Sequence, residues 1–349
     1  MNQFLLGLLV IFLWDGYFFF NYIISLFGDY RTREWGPKVS ILIPAYNEGQ
    51  RVLRAVKSAL EQDYTDLEVI VIDDGSEDGT FKAASSVGDP RLRIYGVEHG
   101  GKAKALNFGL SKSSGEVIVT TDADSVLERN AVRELVRRFY SDDVVAVGGQ
   151  VRVLGGSFLE RAQDAEHLRI AMFRRAKELE DLSLTPGPIA AFRRDALERI
   201  GGFVEDAVED YATTKAIKSL GRVVYAPWAR VWTEMPRSLS ALWRQRRRWF
   251  LGDLKNLGGG FTKDRAFLLL GDAVALLDVL VPPALALTGH WGLFVLWWFF
   301  ETFTMLFPVL FEGGRLSNAL LFPLILWFWA AFYLSLHVYG YIKLLRGKI

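Results

Sequence analysis

Residues 115–129, GEVIVTTDADSVLER, hold an apolar run that ends in two carboxylates two residues apart, Asp122 and Asp124. A second run, LEVIVIDDGS (67–76), ends the same way in Asp73 and Asp74. Between Val39 and about Gln150 such runs alternate with helix-like segments: VSILIP, 48–62, LEVIVID, about 77–86, RLRIYGV, 101–113, EVIVTTD, 127–140 and VVAVGGQ. The alternation predicts a βαβα parallel sheet with helices on both faces. Ligands of such a sheet sit beyond the carboxyl ends of its strands, which is where these acids fall.

Residues two apart on an extended chain share a face. Asp122 and Asp124 therefore either both address one hard cation, or divide between a cation and a sugar hydroxyl. A solvated strand-to-helix turn with an Asx cap is the competing reading, and two such pairs in one sheet favour a site over it. No predicted strand is followed by G-x-G-x-x-G, and G-x-x-x-x-G-K-[ST] does not occur, which disfavours a dehydrogenase or a P-loop NTPase. A carboxylate-and-metal grip on a diphosphate remains, with magnesium or manganese between acid-rich groups that otherwise repel.

The 349 residues carry 41 Lys+Arg against 40 Asp+Glu, and this balance argues against a general nucleic-acid binder. The absence of Cys excludes a disulfide scaffold, a thiol nucleophile and a Cys-ligated zinc site, and the four His are scattered. Hydrophobic residues make up 51% and concentrate at the two ends, which implies membrane attachment. Residues 4–27 lack a basic n-region and a small-residue cleavage site, so a retained anchor is expected. Arg31, Arg33 and Lys38 follow, and by the positive-inside rule the next domain is cytoplasmic.

Residues 239–256, LSALWRQRRRWFLGDLKN, place Leu239, Leu242, Trp243, Phe250 and Leu254 near one stripe, the pattern of an amphipathic helix at a membrane surface. Three apolar stretches follow, about 265–288, 291–311 and 318–342. Four spans in all would put the basic tail KLLRGKI outside, so either one C-terminal stretch is not a full span or the rule fails here. Asp272, Asp278 and Glu301 lie in or near these stretches and either line a polar path for product or sit at the interface in water.

The segments SILIPAYNE, VIDDGSEDGT, GGKAKALNFGL, TTDADS, VEDY and QRRRW, in that order over roughly 38–255, resemble the family 2 inverting glycosyltransferases of GT-A fold. More narrowly they resemble the membrane-embedded branch that contains cellulose, chitin, hyaluronan and poly-N-acetylglucosamine synthases. The resemblance implies an α/β fold: a cytoplasmic GT-A domain, Rossmann-like with a mostly parallel sheet, and N- and C-terminal transmembrane helices. The expected division is an anchor at 1–30 and a glycosyltransferase domain at 38–235, with a nucleotide-sugar half (38–150) and an acceptor half (151–235). An interfacial helix at 236–260 and a membrane region of two or three spans at 264–345 complete it.

Carried onto this sequence, the resemblance implies that Pro44, Tyr46, Glu48 and Asp74 hold the nucleoside, Asp74 at the base edge with help from Asp73. Lys102 neutralises or positions the donor diphosphate, Asp122 contacts the donor and Asp124 ligates Mg2+ or Mn2+. The alternative for Lys102 is an exposed first-turn lysine, although a cation at a helix N-terminus is unfavourable without a negative partner. Asp210 matches the general base, which inversion in a single displacement requires, with leaving-group charge met by metal and cations. Glu209 is the neighbouring candidate, and an N-cap of a helix at 210–219 is the structural alternative for Asp210.

Gln245, Arg248 and Trp249 fall at i, i+3 and i+4, so they share a helix face. The resemblance gives that face to the diphosphate and acceptor, with Trp249 stacking on a ring and Arg248 meeting phosphate. Arg246 and Arg247 are then expected to point elsewhere, toward anionic lipid, and a purely interfacial helix is the rival reading. Gly187, between Pro186 and Pro188, is expected to hold backbone close to a sugar. Relatives often carry an aromatic-Cys or aromatic-Ser pattern there.

The function implied is a multi-pass cell-membrane enzyme with a cytoplasmic catalytic domain. It would transfer a sugar from a nucleotide-diphosphate donor, a UDP-sugar, to a growing polysaccharide with inversion. Single-sugar transfer to a glycolipid or polyprenyl-phosphate acceptor is the alternative, and a catalytically dead nucleotide-sugar-binding scaffold the distant one. The expected partners are the donor, a carbohydrate or lipid acceptor and membrane lipids, without nucleic acid. A transporter is disfavoured, because three or four spans beside a large α/β domain leave little machinery for alternating access.

Overall fold

A computed structural model describes residues 3–28, 30–206, 208–256 and 263–346. The chain begins with helix α1 (Gln3–Leu26) and continues β1 (Val39–Ala45), α2 (Val52–Leu60), β2 (Leu67–Asp74), α3 (Thr80–Ser85), β3 (Leu92–Val97) and α4 (Lys102–Lys112). It goes on through β4 (Val117–Thr120), β5 (Ser125–Leu127), α5 (Ala131–Arg137), β6 (Val144–Val153), α6 (Phe158–Lys177) and β7 (Ala190–Arg193). There follow α7 (Arg194–Arg199), α8 (Glu209–Ile217), β8 (Arg222–Thr233), α9 (Leu239–Asn256), α10 (Lys263–Leu287), α11 (Trp291–Phe311), α12 (Leu316–Leu320) and α13 (Phe322–Leu345). Two compact units result: a sheet unit of Phe27–Leu154 and Phe173–Glu234, and a helical unit of Met1–Leu26, Gly155–Met172 and Met235–Ile349.

The sheet has eight strands in the order β3-β2-β1-β4-β7-β6-β8-β5. Every residue of β2 is buried, as is all of β1 but Pro44, which explains their near-continuous apolar runs: parallel strands are covered on both faces. β1 pairs in parallel with β2 and β4, and β2 with β3, so the carboxyl ends carrying Ala45, Asp73 and Thr120 open toward one side. Leu42, Ile70, Ile72, Leu106, Ile118 and Tyr225 share one core cluster, which seats α4 on the sheet.

Parallel pairings predominate, as expected, and two short strands that the sequence pattern did not show run the other way. Strand β7 runs antiparallel to both β4 and β6, and β5 antiparallel to β8, while β6 and β8 are parallel. The four-residue β7 and three-residue β5 are too short to leave a periodic signal, and β8 contains Pro227. One consequence falls on the opening motif. TTDADS does not turn straight into a helix at 127; it enters β5, and the helix begins at Ala131.

In the helical unit, Gln3–Leu26, Leu268–Leu287, Trp291–Phe311 and Phe322–Leu345 are long and apolar enough to cross a membrane, so all three predicted C-terminal stretches qualify by length and composition. The first part of α6, to Met172, belongs here rather than with the rest of 151–235. The cause is its apolar edge: Ala162, Ala165 and Leu168 are buried with Met305, Val309, Phe322 and Trp329. On α9, Leu242 and Phe250 are buried, but Leu239 is exposed and leaves the predicted stripe. The side chain of Leu254 and residues 257–260 lie outside the described residues.

Burial corrects one expectation made for the membrane-region acids, that they sit at the interface in water. Asp278 and Glu301 are buried, not solvated, and Asp15 is ion-paired with Arg169. A cavity lined by Asp15 and Arg169 has a volume of about 10 Å³, room for one water. Asp272 instead contacts His337 and accepts a hydrogen bond from Tyr341 Oη at 2.7 Å.

Candidate active site

The loops after β1 and β2 brace each other. Asn47 takes a left-handed φ of 54°, and its side-chain oxygen accepts from Glu77 N at 3.0 Å while its own N donates to Ser76 Oγ at 2.9 Å. Glu48 N and Gly49 N both donate to Thr80 Oγ1 at 2.8 Å. This fixes Tyr46, just beyond Pro44, with its exposed ring stacked on His99 at 4.2 Å. Burial pushes the Glu48 carboxyl up; Arg51, 3.0 Å away, opposes the shift and the Asp124 and Asp122 charges add to it.

The two acids that end β2 are committed within the protein. Asp73 Oδ1 accepts from the backbone N and the hydroxyl of Ser76. Asp74 accepts from Gly100 N at 2.8 Å and Gly101 N at 2.9 Å, and His99 Nδ1 lies 2.9 Å from its Oδ2. Gly75, at φ 72°, permits this closure, because a Cβ there would stand 2.8 Å from His99 N. The visible work of Asp74 is thus to close the loop that leads into Lys102.

Lys102 opens α4 and is not a free first-turn lysine. Its Nζ lies 2.8 Å from Asp122 Oδ1 and 2.9 Å from Glu209 Oε1. Burial works against its charge, but the two carboxylates outweigh burial and hold the ammonium above its ordinary pKa. Asp210 joins the group from the first turn of α8, whose N-cap is Val208, so Asp210 is not the cap. Its Oδ2 accepts from Gly187 N at 3.2 Å and its Oδ1 from Tyr211 N at 2.9 Å. Burial, then the Glu209 charge, push its carboxyl up to about 6, against the pull of Lys102 and the two amides.

Gly187 sits at the middle of this group: a Cβ would come within 2.9 Å of Lys102 Nζ and 3.5 Å of Asp210 Oδ2. Its loop is fastened to α8 by Thr214, whose hydroxyl donates to Asp210 O at 2.6 Å and lies 2.7 Å from Thr185 Oγ1.

Asp124 lies between β4 and β5, where its Oδ1 accepts from Ser125 Oγ at 3.1 Å and Thr233 Oγ1 at 3.2 Å. Burial and then the Asp122 charge raise its carboxyl above the ordinary range. A divalent cation relieves a carboxylate so strained, and an all-oxygen donor set suits a hard ion such as Mg2+ or Mn2+. Among the described residues no three His, Cys, Asp or Glu side chains gather as a metal cage.

The structure brings Lys102, Asp122, Gly187, Glu209 and Asp210 together; the nucleoside candidates Pro44, Tyr46, Glu48, Asp73 and Asp74 line the adjoining strand ends. Gln245, Arg248 and Trp249 belong to the helical unit. There Arg248 is exposed and Trp249 half-buried. Arg246 does not face lipid as expected: it is 3% exposed and its Nη2 donates to Glu166 Oε2 at 2.6 Å. Sequence reasoning missed His99 and Thr233. His99 carried a signal in its place between β3 and the Gly100-Gly101 pair; Thr233 had none, because β8 is remote in sequence.

Residues 40–201 match the family model described as Glycosyl transferase family 2. The chain is 32% identical over 232 residues to the Probable glycosyltransferase YdaM of Bacillus subtilis (strain 168), covering 62% of this chain and 55% of that protein. It is 29% identical over 222 residues to the Poly-beta-1,6-N-acetyl-D-glucosamine synthase of Staphylococcus aureus (strain COL), covering 61% and 54%. The matches thus span about half the length of these curated relatives. In fold it resembles the mannosyltransferase PcManGT from Pyrobaculum calidifontis, solved with GDP-Man and Mn2+, with TM-score 0.63, 24% identity and 99% of each chain covered. The sheet unit has the GT-A fold, and residues 40–201, a little under half of the chain, match glycosyltransferase family 2.

Proposed function

We propose that the protein is a metal-dependent inverting glycosyltransferase that moves a sugar from a nucleotide-diphosphate donor, a UDP-sugar, onto a growing polysaccharide at the cell membrane. The observation that carries this reading is Asp210. Its carboxylate is fixed by the Gly187 and Tyr211 amides, and its pKa of about 6 matches a base that works near neutrality. The acceptor oxygen attacks the anomeric carbon as its proton passes to Asp210, and the bond from that carbon to the leaving diphosphate oxygen breaks.

Asp124 would hold Mg2+ or Mn2+, which when bound supplies charge neutralisation for the diphosphate. Lys102, a flexible point charge already beside the site, meets the phosphates by giving up Asp122 or Glu209, and the freed Asp122 is available to the donor sugar. The Tyr46–His99 stack offers a flat surface to the nucleobase, with Pro44, Glu48, Asp73 and Asp74 shaping the nucleoside side. Gln245, Arg248 and Trp249 serve the diphosphate and acceptor sugar. The four apolar helices support a multi-pass protein, and Arg31, Arg33 and Lys38 after the first of them favour a catalytic domain in the cytoplasm.

The test is to incubate detergent-purified protein with a panel of radiolabelled UDP- and GDP-sugars plus Mn2+ or Mg2+ and to size the product. A polymer supports the reading, and a lipid-soluble monoglycoside moves it to single transfer onto a lipid acceptor. No transfer from any donor overturns it.

A further inference from the structure

The QRRRW segment contains a residue whose environment its role in binding does not explain. Arg246 is nearly inaccessible, and its guanidinium lies over Trp249 at 4.4 Å and Trp329 at 5.6 Å. Its partner Glu166, on α6, is also buried and takes a second hydrogen bond from Tyr333 Oη on α13. Trp329, one turn before Tyr333, donates its indole N–H to Ala162 O on α6 at 2.9 Å.

One helical turn further along α9, Phe250 stacks on His337 with centroids 4.1 Å apart and planes 16° from parallel. His337 is held by Asp272 of α10, which also accepts from Tyr341. The pattern is therefore doubled. Arg246 and Phe250, at i and i+4 on α9, face Tyr333 and His337, at i and i+4 on α13: Arg246 shares Glu166 with Tyr333, Phe250 stacks on His337, and each rung ends on a carboxylate from a third helix.

From this geometry we infer that Arg246 and Glu166, with the Phe250–His337–Asp272 rung, form a clamp that positions Arg248 and Trp249 without touching the substrate. Arg246 covers one face of the Trp249 ring, so only the other is left for a sugar. The ion pair fixes the rotation of α9 about its own axis, and that rotation decides where Arg248, two residues on, points. A buried pair of this kind adds little net stability over a hydrophobic isostere, so its use here is to specify one arrangement. The inference rests on the assignment of Arg248 and Trp249 to diphosphate and acceptor proposed above.

The test compares Arg246→Gln, Glu166→Gln and the double variant. Because misplacing a reacting group by about 1 Å costs about 10²-fold, each single variant is expected to lose about 10²-fold in kcat/KM for the acceptor. The KM for donor should stay unchanged, and the double variant should be no worse than either single one, since both changes break the same contact. A second readout needs no turnover. The native chain has no Cys, so Arg248→Cys carries a single nitroxide label whose spectrum reports the order of α9. The label is expected to become more mobile, to the same extent, in both single variants.

Single variants with parental acceptor kinetics and an unchanged label spectrum overturn the clamp. So does a double variant that loses the product of the two single losses. If the parent protein transfers no sugar at all, it is the proposed function that fails, and the label alone decides the clamp.

Discussion

Two clusters in this molecule each set several carboxylates around one cation, and they do different work. In the sheet unit, Lys102 bridges Asp122 and Glu209, and these side chains are 33%, 29% and 17% exposed. In the helical unit, Arg169 pairs with Asp15 and feels the charges of Glu301 and Asp278, acids that are 4%, 0% and 3% exposed. The first is open enough for its ion pairs to be exchanged for a ligand's charge. In the second the acids are shut in beside a cavity of about 10 Å³, although the Arg169 side chain is itself 28% exposed, and the Asp15–Arg169 pair links α1 to α6. Residue type alone does not separate them; the access of their acids does, because a carboxylate that cannot meet water or ligand can only be held by its neighbours.

That contrast can be broken most severely at Asp210. Asp210→Asn keeps the shape and removes the base, so transfer should fall by about 10³-fold while donor binding, measured calorimetrically, is retained. Lys102→Met should cost about 10²-fold in kcat, because a cation preorganised for the leaving group is lost. In the closed cluster the effect moves from rate to stability. Asp15→Asn strands the Arg169 charge and should cost about 3 kcal/mol, read as a lower unfolding temperature in detergent, with activity per folded molecule preserved.

The smallest effect is a shift in pH dependence. Asp210 acts only when deprotonated, so kcat/KM should fall about tenfold per pH unit below about 6. Since the Glu209 charge is one of the causes that raise Asp210, Glu209→Gln should move this acid limb to lower pH. A limb that stays in place would mean that Glu209 does not set the base.

Much of the site was legible because it lies near the ends of strands that announce themselves. The runs before Asp74 and Asp122 are apolar because both faces of their strands are covered, and Lys102 required a negative partner wherever it folded. What was not legible came from contacts distant in sequence. Asp74 was expected at the base edge, and nothing local showed that it also closes a loop 26 residues on through Gly100. Arg246 was given to lipid because an arginine beside tryptophans on an amphipathic helix usually faces headgroups, and nothing local announced Glu166, 80 residues earlier. Residues 155–172 read as part of an acceptor half because their charges hide a narrow apolar edge.

The sequence by itself determined the element types from β1 to β4, the apolar spans and the ordered motifs that resemble family 2, since each depends on local periodicity or on residue identity. Only the tertiary structure decided the antiparallel insertion of β7, the pairing of Lys102 with Asp122 and Glu209, and the burial of Arg246. Those depend on which surfaces come together, and a charge takes its role from the partner and the solvent access it finds there.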